Sequence, residues 1–293
     1  MERLEILKTY KIYIGGAFPR TESGRYYAPF VNKTPIGNIC LSSRKDVRNA
    51  VVAARSAQSG WAGKSAANRS QILYRIAEIL EGRRAQFQSE LELQGSSKAN
   101  ATKEINATID RLIYFAGWCD KVTQVFGSVN PVASSHFNFS TQEPTGVVGI
   151  IAPEDSSLLG LVSFIAPVIA SGNTCVVLAS ENMPLCSITF AEVLATSDVP
   201  GGVVNILTGN TKELLEHFGK HMDVNAIFYG RSSDDEIKKL QTLAIDNLKR
   251  IKIKSEGDYL NDKWENPYLI LDFMEVKTTW HPIEAISATG SVY

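Results

Sequence analysis

Apolar residues recur every three or four positions through much of the amino-terminal part of the chain. Residues 68–91 carry such a stripe, which predicts a long amphipathic helix, and residues 103–122 predict a second one. The stripe of the first helix consists of Ile72, Leu73, Ile76, Ile79, Leu80, Phe87 and Leu91. Residues 11–18 alternate between apolar and polar side chains, as an edge strand does. Residues 1–125 are therefore predicted to form a strand and several packed helices.

From Gly146 onward the pattern changes to short apolar runs separated by helical segments. The runs are GVVGII (146–151), TCVVL (174–178), VVNIL (203–207), AIFY (226–229) and RIKIK (250–254). Continuous β-branched runs that alternate with helices are typical of parallel strands buried on both faces. The sequence thus predicts an α/β fold with a doubly wound parallel sheet of about five strands. Because ligands bind where the winding order of such a sheet reverses, the loops after Ile151 and Tyr229 are the first candidate sites.

After Ser255 the alternation of strands and helices stops. Residues 268–283 have a strand pattern without a neighbouring partner in the sequence, and residues 137–143 are another isolated strand. We expect these two strands to pair as a projecting β-flap formed by residues 126–145 with 266–286. The alternative is an ordinary sheet edge of the monomer. Since isolated hairpins are marginally stable in water, a flap that joins subunits is the preferred interpretation.

The composition is that of a globular protein with balanced charge. The 293 residues are 44% hydrophobic and 21% charged, and 30 Lys+Arg against 31 Asp+Glu leave a net charge of −1. No overall field attracts nucleic acid or an anionic membrane. The sequence contains no uncharged apolar run of membrane-spanning length and no signal-peptide pattern near Met1. These features predict a cytoplasmic protein that binds neither nucleic acid nor membranes.

The cysteines and histidines offer two candidate chemistries. The four cysteines are Cys40, Cys119, Cys175 and Cys186. Their scattered positions argue against zinc and disulfides, and we expect buried thiols. Cys186 is the best candidate for a nucleophile, because it lies at a predicted helix start. His217 and His221 have the spacing of two metal ligands on a helix, but no third ligand accompanies them, so we expect a structural role and no metal site.

Four segments together resemble the coenzyme domain of the aldehyde dehydrogenase superfamily. They are TQEPTGVVGIIAP, IAPVIASGNTCVVLASENMPL, GGVVNILTGN and HMDVNAIFYGRSS, in the order of the superfamily and without large gaps. Residues 47–80 are similar to its amino-terminal helices, with Trp61 in the family position, and residues 274–283 are similar to its oligomerisation strand. The resemblance covers nearly the whole chain and implies that residues 146–255 are a Rossmann-like coenzyme-type domain.

The resemblance also implies a missing part. In the enzymes, a catalytic domain with the nucleophilic cysteine and the general-base glutamate separates the coenzyme sheet from the terminal strand. Here residues 251–273 connect the two directly. The chain resembles in particular the carboxyl-terminal module of the two-module family 16 aldehyde dehydrogenases, which lacks that domain. It is therefore expected to be an inactive pseudoenzyme that assembles with itself or with an active aldehyde dehydrogenase through its terminal strand.

Several family positions are altered around the expected crevice. The asparagine that serves the oxyanion hole is replaced by Asp155, whose ionised carboxylate cannot donate a hydrogen bond. The ribose-contacting glutamate is retained as Glu181, while the lysine before it is lost. Gly209 and Gly230 remain as vestigial cofactor contacts, and Arg231 either pairs with a phosphate or closes the pocket.

Three functions remain open at this point. The first is the inactive subunit, for which NAD binding is expected to be weak or absent. An NAD-dependent oxidoreductase acting on aldehydes is the enzymatic alternative, with thiol attack on the carbonyl followed by hydride transfer. A nucleotide-binding module without catalysis is the third.

Overall fold

The computed structural model describes residues 6–255 and 257–283. The strands are β1 (Thr9–Tyr10), β2 (Tyr26–Tyr27), β3 (Phe30–Val31), β4 (Thr34–Pro35), β5 (Asn38–Cys40), β6 (Ser128–Asn130), β7 (His136–Pro144), β8 (Val147–Ile151), β9 (Thr174–Leu178), β10 (Val204–Leu207), β11 (Ala226–Tyr229), β12 (Arg250–Ile253) and β13 (Met274–Pro282). The α-helices are α1 (Arg44–Ala62), α2 (Ala66–Gly82), α3 (Arg84–Leu93), α4 (Lys98–Trp118), α5 (Val122–Phe126), α6 (Leu159–Ala170), α7 (Leu185–Ala195), α8 (Thr211–Lys220), α9 (Asp234–Leu243) and α10 (Tyr268–Leu271).

The central sheet has five parallel strands in the order β10-β9-β8-β11-β12. The predicted doubly wound α/β fold is confirmed. Every residue of β8, β9, β10 and β11 is buried, which explains why these strands are continuous apolar runs, whereas β12 is a partly exposed edge. The order reverses between β8 and β11, so the crevice lies beyond Ile151 and Tyr229.

Helices cover both faces of this sheet and create two hydrophobic cores. Val176 and Leu178 of β9 face one core, to which α1, α8 and α9 contribute. Cys175 and Val177 face the other, together with α2, α4, α6 and α7. All of α6 is buried, and the Trp61 indole donates a hydrogen bond of 3.0 Å to the carbonyl of Ile169 in α6. None of the helices in the described ranges is long and apolar enough to cross a membrane.

The long helix predicted over residues 68–91 is two helices, which corrects that expectation. The break falls at Arg83, where φ is −104° and ψ is 12°, directly after Gly82. Glycine is a poor helix former, so the chain bends there at low cost. The apolar face continues across the break, because Leu80 and Phe87 are both fully buried.

The β-flap is a separate antiparallel sheet of order β13-β7-β6. β13 pairs with β7 in a continuous register from Met274 opposite Pro144 to Pro282 opposite His136. The predicted pairing of these two strands is therefore present, while β6 was not predicted. Residues 284–286 of the predicted flap lie outside the described residues. β13 is an edge strand, and among the described residues no further strand pairs with it.

Residues 257–273, here called the closing segment, join the sheet to the flap. Part of it was predicted as strand, but Tyr268–Leu271 form α10, which begins after Pro267 at φ −65° and buries Leu269 and Ile270. A short apolar run fits a strand and a helical turn equally well, and packing against α6 favours the turn.

Aromatic packing holds the closing segment on α6. The Trp264 ring lies 4.9 Å from Tyr259 and 5.4 Å from Phe164 of α6, centroid to centroid. The buried guanidinium of Arg111 donates to the Tyr259 carbonyl at 3.0 Å and to the Ser163 hydroxyl at 2.6 Å. The segment therefore covers α6 as a fixed part of the fold.

Candidate functional site

The candidate crevice is formed by the four loops that follow β8, β9, β10 and β11. Asp155 lies in the first loop, Glu181 in the second, Gly209 in the third, and Gly230 and Arg231 in the fourth. The parallel topology brings these loops to one edge of the sheet. Their side-chain contacts determine what the crevice can hold.

Arg231 ties the four loops together. Its Nε donates to the Ala152 carbonyl at 2.8 Å, and its Nη1 lies 2.6 Å from Glu154 Oε1. Nη1 also donates to the Thr211 hydroxyl, and Nη2 donates to the Ala179 carbonyl at 3.4 Å. The side chain is 10% exposed. Arg231 is thus bonded to residues of the first two crevice loops and, at the start of α8, to the end of the third.

Glu154 is the partner of Arg231 and the crevice residue whose role sequence reasoning missed. Its Oε2 accepts hydrogen bonds from the Ser180 hydroxyl at 2.8 Å, the Glu181 backbone N–H at 2.9 Å and the Asn182 backbone N–H at 3.2 Å. Charge-assisted bonds of this kind are stronger than neutral ones. The carboxylate therefore takes up two backbone donors of the second loop.

Glu181 is bonded within the protein as well. The Asn210 side-chain amide donates to Glu181 Oε1 at 3.0 Å, and Asn210 also caps α8. Near this pair lies Tyr27, whose buried hydroxyl has no hydrogen-bond partner among the described residues. Burial, followed by the negative charges of Glu181 and Glu154, raises the pKa of Tyr27. Nothing in its local sequence pointed to the crevice.

The two retained glycines are explained by packing against the protein itself. A Cβ on Gly230 would lie 2.7 Å from the Phe164 ring and 3.0 Å from the Ile151 carbonyl oxygen. A Cβ on Gly209 would lie 3.1 Å from the Ser42 backbone nitrogen, at a φ of +152°. Both positions therefore require glycine whether or not a phosphate approaches them.

Asp155 faces the closing segment. A Cβ on Gly257 would lie 2.9 Å from Asp155 Oδ2, so the carboxylate and that backbone are close neighbours. Burial, followed by the charge of Asp155, raises the pKa of Tyr259. A carboxylate at this position accepts hydrogen bonds and does not stabilise a developing oxyanion.

The start of α6 is capped by a side chain from another helix. Glu104 Oε1 accepts from the Ser156 hydroxyl and from the backbone N–H groups of Leu158 and Leu159, each at 3.1 Å. A helix N-terminus attracts anions because its first N–H groups are free. Here the protein's own carboxylate occupies that place.

The cysteines are all buried, as expected. Burial raises the pKa of the Cys119 thiol to about 12 and also raises that of Cys175. The Cys186 pKa lies well above its ordinary value because of burial and then the nearby Glu90. Gln94 Nε2 lies 3.6 Å from Cys186 Sγ. Because the thiolate is the nucleophile, burial and Glu90 oppose attack by Cys186, whereas the Gln94 contact acts in the opposite direction.

The polar side chains of the crevice are bonded within the protein. Arg231, Glu154 and Glu181 are bonded to one another's loops, and Glu104 caps the nearby helix. In the described ranges no group of three or more His, Cys, Asp or Glu side chains is placed to hold a metal ion.

The strand order and the position of the crevice define a Rossmann-like domain of the nucleotide-binding class. The sequence model described as "Aldehyde dehydrogenase family" matches residues 19–260. The chain therefore belongs to the aldehyde dehydrogenase family, and the family predicted from the sequence is confirmed.

Related proteins span the chain but extend beyond it. The cytosolic 10-formyltetrahydrofolate dehydrogenase of Mus musculus is 31% identical over 88% of this chain, which corresponds to 29% of that protein. The human protein of the same name is 32% identical over 85% of this chain and 28% of its own length. The chain thus spans less than a third of these two curated relatives.

Solved structures give the same fold. The NAD⁺ complex of an aldehyde dehydrogenase from Bacillus cereus has a TM-score of 0.79 at 26% identity, covering 84% of this chain and 50% of that one. An NAD-dependent aldehyde dehydrogenase from Sinorhizobium meliloti has a TM-score of 0.79 at 27% identity and covers 85% and 50%. Relatives of this chain therefore include NAD-dependent enzymes.

Proposed function

We propose that this chain is a catalytically inactive aldehyde dehydrogenase subunit that works by assembly. The observation that carries the proposal is the direct connection of β12 to β13 through residues 254–273. β13 then pairs with β7 over its whole length, and the closing segment is packed on α6. These twenty or so residues leave no place, between sheet and flap, for a domain that presents a nucleophile and a general base.

The chemistry of the crevice supports the same proposal. Acyl transfer through a thioester needs an accessible thiolate and hydrogen-bond donors for the oxyanion. All four cysteines are buried, and Asp155 presents a carboxylate where the family asparagine is expected. Arg231 and Glu154 are bound to each other across the crevice. We therefore propose that NAD binds weakly or not at all.

The flap is the proposed assembly element. β13 is an edge strand nine residues long, and its side chains Val276 and Trp280 are 69% and 57% exposed. A long exposed edge with apolar side chains is a template for strand addition from a second chain. The partner would be another copy of this chain or an active aldehyde dehydrogenase. Because the named mammalian relatives are cytosolic proteins, we propose a cytoplasmic location.

The first test is turnover. We expect no NADH formation when the purified chain is mixed with NAD and a panel of aldehydes, because no described thiol is exposed. Absorbance at the NADH wavelength measures the reaction, and calorimetric titration with NAD reports binding separately. Turnover that disappears in Cys186→Ser would refute the inactive subunit and establish the oxidoreductase. Saturable NAD heat without turnover would favour the nucleotide-binding module.

The second test is assembly through the flap. We expect the wild-type chain to form an oligomer, alone or with a co-purified dehydrogenase, and the double variant Val276→Lys/Trp280→Lys to lose it. Charged side chains on an edge strand oppose the addition of another strand. Because both positions are exposed, we expect the fold of the chain to stay intact. Light scattering after size exclusion measures the mass.

Leu248→Lys is the matched control, because Leu248 is 91% exposed and lies outside the flap. Its assembly should equal that of the wild type. A wild-type chain that is monomeric and binds no dehydrogenase in an extract of its native host would count against assembly as the function.

A further inference from the structure

A positively charged groove lies between α1 and α8, on the outer side of the helices that cover one sheet face. It has a volume of about 420 Å³, within the range of small-ligand sites. Its lining residues are Arg44, Val47, Arg48, Glu216, His217, Lys220 and His221. None of them belongs to the crevice at the sheet edge, and the proposed assembly does not use them.

The two arginines of this groove lack acidic partners. Arg44 and Arg48 are four residues apart on α1 and are exposed, and no carboxylate of the described residues lies within 4.0 Å of either guanidinium. The acidic lining residue, Glu216, is already paired with Lys220 at 2.6 Å. The groove therefore has excess positive charge in a chain whose net charge is −1.

The helix geometry makes this charge unfavourable for folding. Arg44 is the first residue of α1, where the helix dipole is positive and cations are disfavoured. The acidic residue of that turn, Asp46, is buried and accepts hydrogen bonds from the Thr21 hydroxyl at 2.6 Å and from the Ser43 backbone N–H at 2.7 Å. Its carboxylate is therefore engaged by Thr21 and Ser43 at the helix cap. His217 and Lys220, in contrast, suit the end of α8 where they lie.

Burial lowers the pKa of both groove histidines. The charge of Arg44 lowers the pKa of His217 further, against the opposite effects of Glu216 and Glu213. Burial lowers the pKa of His221, and Lys249 and Arg55 lower it further against the opposite effect of Asp223. Neutral imidazoles at this place retain an N–H donor for an anion.

We propose that the groove between α1 and α8 binds a small phosphate-bearing molecule with at least two negative charges. Arg44 and Arg48 present guanidinium forks, which match phosphate oxygens in a bidentate way. Lys220 and the imidazoles of His217 and His221 supply further donors from the opposite helix. Such a ligand would neutralise Arg44 and Arg48, which form no ion pair with the described residues.

The probe for this site is inorganic pyrophosphate, titrated by calorimetry at about 50 mM salt, where phosphate contacts are not strongly screened. We expect saturable binding that Arg44→Gln/Arg48→Gln weakens at least tenfold. The matched control is Lys45→Gln/Lys212→Gln, which removes two charges from the same helices but outside the groove lining. It should bind within about twofold of the wild type, since loss of unspecific charge alone has a small effect.

Proton NMR locates the ligand independently. The His217 and His221 ring resonances, assigned with single His→Gln variants, should shift on titration, while that of His136 in the flap should not. Absence of saturable pyrophosphate binding would overturn the proposal, as would equal weakening in both double variants. An oligonucleotide that binds through the two arginines when pyrophosphate does not would also overturn it, in favour of a nucleic-acid surface.

Discussion

Trp264→Ala is expected to destabilise the protein by about 3–5 kcal/mol, the range measured for removing a large buried aromatic side chain. Trp264 is 4% exposed and packs between Tyr259 and Phe164. Removing its indole leaves a cavity between the closing segment and α6. Because α6 is otherwise fully buried, the cavity cannot be filled by a small shift of the backbone. Urea unfolding followed by circular dichroism measures the free energy of unfolding.

Leu260→Ala is the control for this experiment. Leu260 lies in the same segment and is 52% exposed, so its truncation should change the free energy of unfolding by less than about 0.5 kcal/mol. Equal effects of the two substitutions would show that the closing segment does not rest on α6. The proposal that sheet and flap are joined directly, with no domain between them, would then lose the support it takes from this packing.

A loss of unfolding free energy in Trp264→Ala but not in Leu260→Ala would link the stability of the closing segment to the proposed assembly through the flap. The closing segment is not a loose linker, because Trp264 and the buried Arg111 anchor it to the helices. The anchoring fixes the direction in which the chain enters β13. The flap is thereby held in place for pairing with a partner, which is what the proposed subunit requires.

The sheet was predictable because its strands are buried on both faces. Runs such as 174–178 and 226–229 have no charged residue and are separated by helical segments. This combination is typical of parallel strands buried on both faces. The break at Arg83 was not predictable, since Leu80 and Phe87 keep the apolar face in phase across it. β6 was missed because three residues, Ser128–Asn130, carry too little pattern.

The crevice was predictable in position but not in its contacts. Strand order locates the loops after Ile151 and Tyr229, yet the pairing of Glu154 with Arg231 joins residues 77 positions apart. Local sequence gives no sign of such a pair. The hydrogen bonds of Glu154 to the second loop depend on the direction of its side chain, which is set only when the strands pair in the folded sheet.

Arg231→Met is expected to cost about 3 kcal/mol, at the lower end of the range for removing one partner of a buried ion pair. Arg231 is 10% exposed and Glu154 29%, so water partly compensates the carboxylate that remains. The carbonyls of Ala152 and Ala179 also lose their donors. Because Arg231 joins its own loop to the other three crevice loops, we further expect amide hydrogen exchange in these loops to be faster in the variant than in the wild type.

The comparison pair is Arg25 with Glu213, whose nitrogen and oxygen are also 2.6 Å apart but whose side chains are 44% and 40% exposed. Arg25→Met should cost clearly less than Arg231→Met, because solvent screens exposed ion pairs. A double-mutant cycle with Glu154→Gln isolates the coupling across the crevice, which we expect to exceed 1 kcal/mol for contacting buried charges. Equal losses in the two arginine variants would mean that Arg231 does not close the crevice, and the case against cofactor binding would then rest on Asp155 and the missing lysine alone.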